Sequence, residues 1–199
     1  HVDAAVDLHA VPPSSWYHQA RTLMRRDLLN QLRDPRLFWG RLLTYAALCL
    51  FLSLLFGNID ALRPGRITFH YFIAATLVAF SVTRLLPLME ERVIYSQETA
   101  NHAYSPLPYT VALSLTSLPF LVILVVVCTA IQYSIVVDLW QGWYNLFFFM
   151  TAYFVTLYCA ESALLFISVI ITNVNLAVIV GIATLSLGVV MCGFAILPS

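Results

Sequence analysis

The chain has 199 residues, of which 61% are hydrophobic and only 10% charged, and its formal net charge is zero. Soluble domains are about half apolar and a quarter charged, so this composition excludes an ordinary water-soluble domain. All ten basic residues are arginines, which excludes a Walker A phosphate loop and Schiff-base chemistry because both need a lysine.

The first 34 residues divide into two parts. Residues 1–14 are polar or small and are interpreted as the end of a linker; without a recognisable signal peptide, we expect the chain to be a segment of a longer protein. Over 15–34 most apolar residues fall on one side of a helical wheel and most basic residues on the other, with Asp27 and Leu29 as exceptions. This pattern predicts an amphipathic helix, capped by Ser15 and stopped by Pro35, that lies on a bilayer surface. A surface helix of a soluble domain is the alternative.

Residues 35–199 contain five apolar runs, each long enough to cross about 30 Å of hydrocarbon. We predict spans at about 38–57, 67–88, 109–137, 144–171 and 176–197, the third interrupted by Pro119. The fold class is therefore all-α, a polytopic membrane protein with about five transmembrane helices. Arg41 is expected to extend to the interface, and the four cysteines are interpreted as small buried hydrophobic residues.

The longest polar stretch within the membrane region is the loop 89–108. Eight arginines lie before the first span or next to this loop, and two lie on the opposite side, which predicts a cytoplasmic N-terminus and a cytoplasmic loop. Coupling to another domain requires a rigid, charged element that protrudes from the membrane. We therefore expect Glu91, Arg92 and Glu98 to form a short intracellular coupling helix in this coupling loop; a solvated loop without a role is the alternative.

Several short motifs occur in a recognisable order. They are Trp16-Tyr17-His18-Gln19, Arg25-Arg26, Arg33-Asp34-Pro35, Pro87, Glu91-Arg92, Gln97-Glu98, Tyr104, Tyr109 and Pro119. Over about residues 14–198 this order resembles ABC exporters of the G subfamily, the White and pleiotropic-drug-resistance type, whose membrane domain is of the ABC-2 (type V exporter) kind. One departure is Gln97, which stands where relatives usually have a basic residue.

The resemblance implies a role for each part of the chain. Helix 15–34 would be the connecting helix, in which Arg25, Arg26 and Arg33 contact the coupling loop or a nucleotide-binding domain, or else bind anionic lipid headgroups. Residues 35–199 would be a partial transmembrane domain, with ATP and Mg²⁺ on a nucleotide-binding domain of the same polypeptide that is missing here. The partner would be a second half-transporter, in a homo- or heterodimer. The chain itself is expected to be no enzyme and to bind no cofactor and no nucleic acid.

By the same resemblance, the substrate surface lies between the second and fifth spans at the two-fold interface. The substrate-path candidates there are Phe72, Thr76, Ala79, Phe80, Thr83, Ser186 and Val189, and the exit-gate candidates are Phe194 and Ala195, where relatives often have a leucine pair. Four of them are spaced three to four residues apart and share one helix face. A mostly apolar slot with a few hydroxyls suits lipids, sterols or hydrophobic xenobiotics, although helix packing by small residues would explain the same positions.

Glu161 is the one acidic residue in the middle of a predicted span. Ionisable groups at this depth face protein or a water-filled cavity, so Glu161 belongs either to a polar relay or substrate path, or to a protonated carboxyl bonded to another helix, with Thr156, Tyr158 and Ser162 nearby in sequence. The leading hypothesis is an ATP-driven exporter, in the plasma membrane or an organelle membrane. The alternatives are an ion- or proton-coupled secondary transporter that uses Glu161, and a scaffold or intramembrane enzyme.

Overall fold

A computed structural model describes residues 15–34, 38–56, 63–100, 106–136 and 142–191. Its helices are α1 (Trp16–Arg33), α2 (Trp39–Leu55), α3 (Arg63–Phe80), α4 (Leu85–Ala100), α5 (Pro106–Ile135), α6 (Trp143–Ile170) and α7 (Val174–Met191), with a 3-10 turn at Ser81–Arg84 between α3 and α4. All regular elements within these ranges are helices. The predicted all-α class is therefore confirmed.

Four helical stretches are long and apolar enough to cross a membrane, and α2 is a shorter apolar helix of 17 residues. The four are 67–100, 107–135, 143–170 and 174–191. At 1.5 Å per residue α2 extends about 26 Å, which is close to the thickness of the hydrocarbon core. The chain is a multi-pass integral membrane protein.

Helix α1 ends where the sequence dictates. Asp34 precedes a proline, whose ring disfavours the α conformation of the preceding residue, and its backbone is extended (φ −87°, ψ 110°). Ser15 stands at the N-terminal cap position, but its side chain makes no capping hydrogen bond, which corrects the expectation for this residue. The helix packs on α5 and buries Leu23 and Gln31.

The segment expected to be the coupling loop is mostly helical. Helix α4 continues to Ala100 and α5 begins at Pro106, so the interval 89–108 contains most of α4 and the start of α5. The 34 helical residues of 67–100 extend about 51 Å, far more than the hydrocarbon core. Helix α4 can therefore extend beyond the hydrocarbon core. Helix α5 also passes through Pro119 without ending.

Two apolar clusters hold the helices together. The first joins α2, α3, α5 and α6 and contains Tyr45, Cys49, Phe69, Ile73, Leu77, Leu121, Leu124, Val125, Cys128, Val136, Tyr153 and Leu157. The second joins α3, α4, α6 and α7 and contains Val78, Leu85, Met89, Ala160, Leu164, Ile167, Ala177 and Leu185. Helix α6 contributes to both clusters, so it is the element around which the described helices are arranged.

Candidate functional site

Helix α1 is joined to α4 by an ion pair between Arg26 and Glu98. Arg26 Nη1 donates to Glu98 Oε1 at 2.7 Å and to Oε2 at 3.0 Å. The two side chains are 46% and 30% exposed, and exposed pairs of this kind contribute about 0.2–1 kcal/mol. The pair therefore fixes the position of α1 along α4 more than it stabilises the fold. Arg25 and Arg33 are both exposed on α1.

Glu91 faces a cleft between α1, α4 and α5. This α1–α4 cleft has a volume of about 210 Å³, and its lining includes Arg26, Asp27, Asn30 and Tyr109. Burial raises the pKa of Asp27 above its ordinary value of 3.8, while the charges of Arg84 and Arg26 and a hydrogen bond from Gln31 (3.2 Å) oppose this rise. The cleft is thus a polar, charged junction between α1 and the rest of the bundle.

Arg92 does not pair with its neighbour Glu91. Adjacent residues on a helix point about 100° apart, and Arg92 reaches the end of α6 instead. Its Nη1 donates to the carbonyl oxygens of Ser168 (2.8 Å) and Ile171 (2.7 Å). Glu91, Arg92 and Glu98 thus lie on one helix, as expected, but each faces a different neighbour. Glu91 lines the cleft, Arg92 contacts α6 and Glu98 contacts α1.

Glu161 is bound by Arg41 across α6 and α2, with side-chain exposures of 8% and 12%. The Arg41 guanidinium carbon also lies 5.3 Å from the centre of the Tyr45 ring, a cation–π contact. Arg41 is therefore turned inward and does not extend to the interface as expected. Ser162 donates to the Tyr158 carbonyl (2.7 Å) and Thr156 to the Ala152 carbonyl (2.8 Å), so neither hydroxyl proton goes to Glu161.

Arg84 connects the two charged regions. It ends the 3-10 turn and is only 6% exposed. On one side it lines a small polar cavity of about 30 Å³ together with Glu161, Ser114 and Ser162. On the other side its charge acts on Asp27 of α1. Charged residues therefore extend from the α1–α4 cleft into the bundle. They are Asp27 of α1, Arg84 between α3 and α4, Glu161 of α6 and Arg41 of α2.

The predicted substrate face of α3 points away from the bundle. Phe72 is 45% exposed and Phe80 37% exposed, and Ala79 and Thr83 are also exposed. Thr76 donates to the Phe72 carbonyl and Thr83 to the Phe80 carbonyl, each at 2.8 Å. This exposed face is available to another subunit or to lipid.

An apolar groove of about 520 Å³ lies between α3, α6 and α7. It is lined by Tyr71, Ala74, Ala75, Val78, Val155, Thr156, Cys159, Ala160, Ala163, Thr184, Leu185, Gly188 and Val189. Of the substrate-path candidates only Val189 lines it, whereas Ser186 is exposed elsewhere on α7. We refer to this cavity as the α3–α7 groove. The concentration of small residues on α6, which sequence reasoning missed, is the signal that could have located it.

A buried polar chain joins four helices and was also missed. Tyr153 Oη lies 2.5 Å from His70 Nδ1 and donates to Gln132 Oε1 at 3.2 Å. Gln132 Nε2 in turn contacts Cys49 Sγ at 3.8 Å, and the His70 ring stacks on Phe149 at 3.6 Å. These residues come from four different helices, so no local motif connects them in the sequence.

The sequence profile of the ABC-2 type transporter family matches residues 18–199, more than nine-tenths of the chain. The chain belongs to the ABC-2 type transporter family. Among its relatives, ABC transporter G family member STR2 of Medicago truncatula is 29% identical over 191 residues, which cover 91% of this chain and 25% of that protein. ABC transporter G family member 1 of Arabidopsis thaliana is 28% identical over 89% of this chain and 24% of its own length. Member 13 of the same plant is 24% identical over 91% and 27%.

The family membership bears out the resemblance drawn from the motifs. The chain spans about a quarter of the length of these curated relatives, and the ABC-2 match places it in their membrane domain. The exit-gate candidates Phe194 and Ala195 and the motif residue Tyr104 lie outside the described residues.

Proposed function

We propose that this chain is the membrane-spanning part of an ATP-driven exporter of lipids, sterols or hydrophobic xenobiotics. ATP and Mg²⁺ would bind to a nucleotide-binding domain of the same polypeptide, and a second half-transporter would complete the dimer. The observation that carries the proposal is a continuous set of contacts from the amphipathic helix α1 to the α3–α7 groove. Arg26 joins α1 to α4, Arg92 joins α4 to α6, and α6 and α7 line the α3–α7 groove.

The two sides of α4 differ in a way that suits mechanical coupling. Toward α1 it borders the charged cleft that contains Asp27 and Glu91, and the exposed Arg26–Glu98 pair joins the two helices there. Toward α6 and α7 it is packed through Leu85 and Met89 in an apolar cluster. A movement of α1 caused by ATP binding would therefore be received by α4 and passed to the helices of the groove.

The α3–α7 groove has the properties expected of a site for a hydrophobic substrate. Its lining is almost entirely apolar, with hydroxyl groups from Tyr71, Thr156 and Thr184 at its surface. Ligand pockets combine such walls with a few polar groups that fix orientation. The exposed α3 face with Phe72, Ala79 and Thr83 would meet the second half-transporter, as the resemblance implies. The ion-coupled alternative gains no support of its own, because Arg41 holds the Glu161 carboxylate.

Transport is tested with the full-length polypeptide in inside-out vesicles, using a fluorescent sterol and a fluorescent phospholipid as probes. We expect ATP-dependent uptake of at least one probe. Ala75→Trp fills the groove and should reduce uptake by about tenfold or more, since misfit in an apolar pocket costs about 10–200-fold. The control is Ala183→Trp, an exposed position on α7 outside the groove lining. Uptake driven by a proton gradient and insensitive to ATP depletion would refute the proposal.

The orientation of the chain follows from the arginine distribution and is part of the proposal. Helix α1 and the C-terminal end of α4 should lie in the cytosol. Single cysteines introduced at the exposed positions Arg25 and Glu90 should react with a membrane-impermeant maleimide only from the cytosolic side, whereas the unaltered chain provides the background. Reaction of either cysteine from the opposite side would contradict this orientation.

A further inference from the structure

Arg92 binds the C-terminal end of α6 with two hydrogen bonds from a single nitrogen. Nη1 lies 2.8 Å from the Ser168 carbonyl oxygen and 2.7 Å from that of Ile171. The last four carbonyls of any helix have no partner within the helix, and a cation at this end also interacts favourably with the helix dipole. The guanidinium therefore satisfies two carbonyl groups at the end of α6, where the helix itself provides no donor.

The contact lies at the tip of a short helical hairpin. Ile171 has an extended backbone (φ −95°, ψ 120°), so the chain leaves α6 at the residue that Arg92 binds. Helix α7 begins three residues later, and Asn173 Oδ1 accepts hydrogen bonds from the backbone N–H of Asn175 (3.0 Å) and Leu176 (3.4 Å). The turn is thus held by hydrogen bonds at both ends. Asn173 forms them at the start of α7, and Arg92 of α4 forms them at the end of α6.

Below this tip, α4, α6 and α7 are closely packed around Gly181. A Cβ atom added at Gly181 of α7 would lie 3.1 Å from Leu164 Cδ2 and 3.4 Å from Leu85 Cδ2. Leu85 belongs to α4 and Leu164 to α6, so the absence of a side chain at Gly181 brings the three helices together. The hairpin and α4 are therefore in contact through apolar packing near Gly181 and through Arg92 at the tip.

We infer that Arg92 is a positioning residue that makes the α6–α7 hairpin follow the movement of α4. This inference rests on the proposed transport function and assigns one step of it. Glu98 receives the movement from α1, and Arg92, six residues earlier on the same helix, passes it to the hairpin that forms two walls of the α3–α7 groove. Without Arg92, only the apolar packing through Leu85 and Met89 would join the hairpin to α4, and the exposed turn beyond that packing could lag behind α4.

The first test measures the tip directly in the full-length protein. Hydrogen exchange of the amides at residues 171–177 should become faster in Arg92→Gln, because the carbonyls at the end of α6 lose their donors and the turn opens more often. Exchange in the middle of α5 should not change. Arg92→Lys keeps the positive charge but lacks the planar fork, so its exchange rate should lie between those of Gln and the unaltered protein.

The second test measures coupling, as probe transported per ATP hydrolysed. Arg92→Gln should reduce this ratio by about fivefold or more, the lower bound for typical coupling between sites, with a smaller decrease in Arg92→Lys. The matched control is Arg21→Gln, which removes an exposed arginine of α1. A residue that only stabilised the fold would lower transport and ATP hydrolysis in the same proportion and leave the ratio unchanged.

The outcomes separate the inference from the proposed function. An unaltered ratio in both Arg92 variants, or an unaltered exchange rate at residues 171–177, would overturn the inference while transport by the unaltered protein still stands. If the unaltered protein transports neither probe with ATP, the proposed function fails, and the role of Arg92 in transport fails with it. If the Arg92→Gln variant does not fold, the exchange rate and the transport ratio of Arg92→Lys decide the test.

Discussion

Two arginine–glutamate pairs in this molecule have the same chemistry and opposite surroundings. Arg41 and Glu161 are 12% and 8% exposed and join α2 to α6 inside the bundle, whereas Arg26 and Glu98 are 46% and 30% exposed and join α1 to α4 at its end. In a medium of low dielectric constant, a charge that loses its partner is very costly, while near water the solvent replaces the partner. The pair within the bundle must therefore stay closed, and the pair at the end can open.

This difference indicates where the molecule can move. Arg41 is further held by the Tyr45 ring, and the Tyr45 hydroxyl donates to the Leu77 carbonyl at 3.2 Å, which connects α2 to α3 as well. By contrast, the α1–α4 cleft contains charged groups and about 210 Å³ of free space. Relative motion between α1 and α4 is thus far less costly than motion between α2 and α6.

The largest expected effect comes from removing one partner of the buried pair. Glu161→Ala leaves the Arg41 charge buried without a partner, which should lower the free energy of unfolding by about 3–5 kcal/mol. Chemical denaturation in detergent micelles measures the change. The double variant Arg41→Met/Glu161→Leu should recover most of the loss, because replacement of a buried ion pair by apolar side chains is often neutral or stabilising.

Two results would contradict this account of the buried pair. The first is a Glu161→Ala variant that unfolds within about 1 kcal/mol of the unaltered protein, as exposed pairs do. The second is a double variant that is less stable than the single one. Either result would mean that water reaches Arg41 in the folded protein, and the distinction between the two pairs would disappear.

Much of the fold was accessible from the sequence because the membrane imposes simple requirements. Each apolar run had to be a helix, since backbone groups in hydrocarbon must be bonded within their own segment. Pro35 marked the end of α1 at Arg33. In the region 89–108 a short coupling helix was expected within a polar loop. The helix found there is longer, because a helix such as α4 can leave the membrane and remain a helix.

The candidate site was less accessible, because partners far apart in sequence are not visible in one sequence. Arg41 and Glu161 are 120 residues apart, and an arginine near a span end has two possible directions, toward the interface or inward. The choice depends on whether a carboxylate lies opposite, which only the arrangement of α2 against α6 decides. The α3–α7 groove likewise brings Tyr71 and Val78 of α3 beside residues of α6 and α7 that are distant in sequence. The substrate path on the α3 face with Phe72 and Thr83 stays a prediction.

The second-largest loss of stability is expected from overpacking α7 against the apolar side of α4. Gly181→Val adds atoms where a Cβ already meets Leu164 at 3.1 Å and Leu85 at 3.4 Å, and overpacking of this kind costs about 1–3 kcal/mol. The control is Gly188→Val on the same helix, since a Cβ there meets nothing within 4 Å. Thermal unfolding of both variants in micelles is the measurement. An equal loss of stability in both variants would show that helix propensity, and not the contact of α7 with α4 and α6, determines the effect.

A smaller effect, dependent on pH, is expected at Asp27 in the α1–α4 cleft. Burial raises its pKa above 3.8 in the folded protein, so the folded state binds the proton more tightly than the unfolded chain does. Its contribution to stability is therefore present below pH 3.8 and is lost as the pH rises through the folded pKa. Asp27→Asn should be more stable than the unaltered protein at pH 7 and about equally stable near pH 3.5. A difference that does not change between these pH values would contradict the shifted pKa.

The smallest effect should come from the exposed pair at the end of α4. In a double-mutant cycle of Arg26→Ala and Glu98→Ala, the coupling energy should be about 0.2–1 kcal/mol and should decrease with added salt, because the Debye length falls from about 10 Å at 0.1 M to about 3 Å at 1 M. The same cycle in probe transport should show a larger coupling than in stability, because the pair determines which way α4 is moved and not whether the bundle stays folded. A coupling energy above about 3 kcal/mol in stability would place Arg26–Glu98 with the buried pair, and its exposure to water would then not determine its strength.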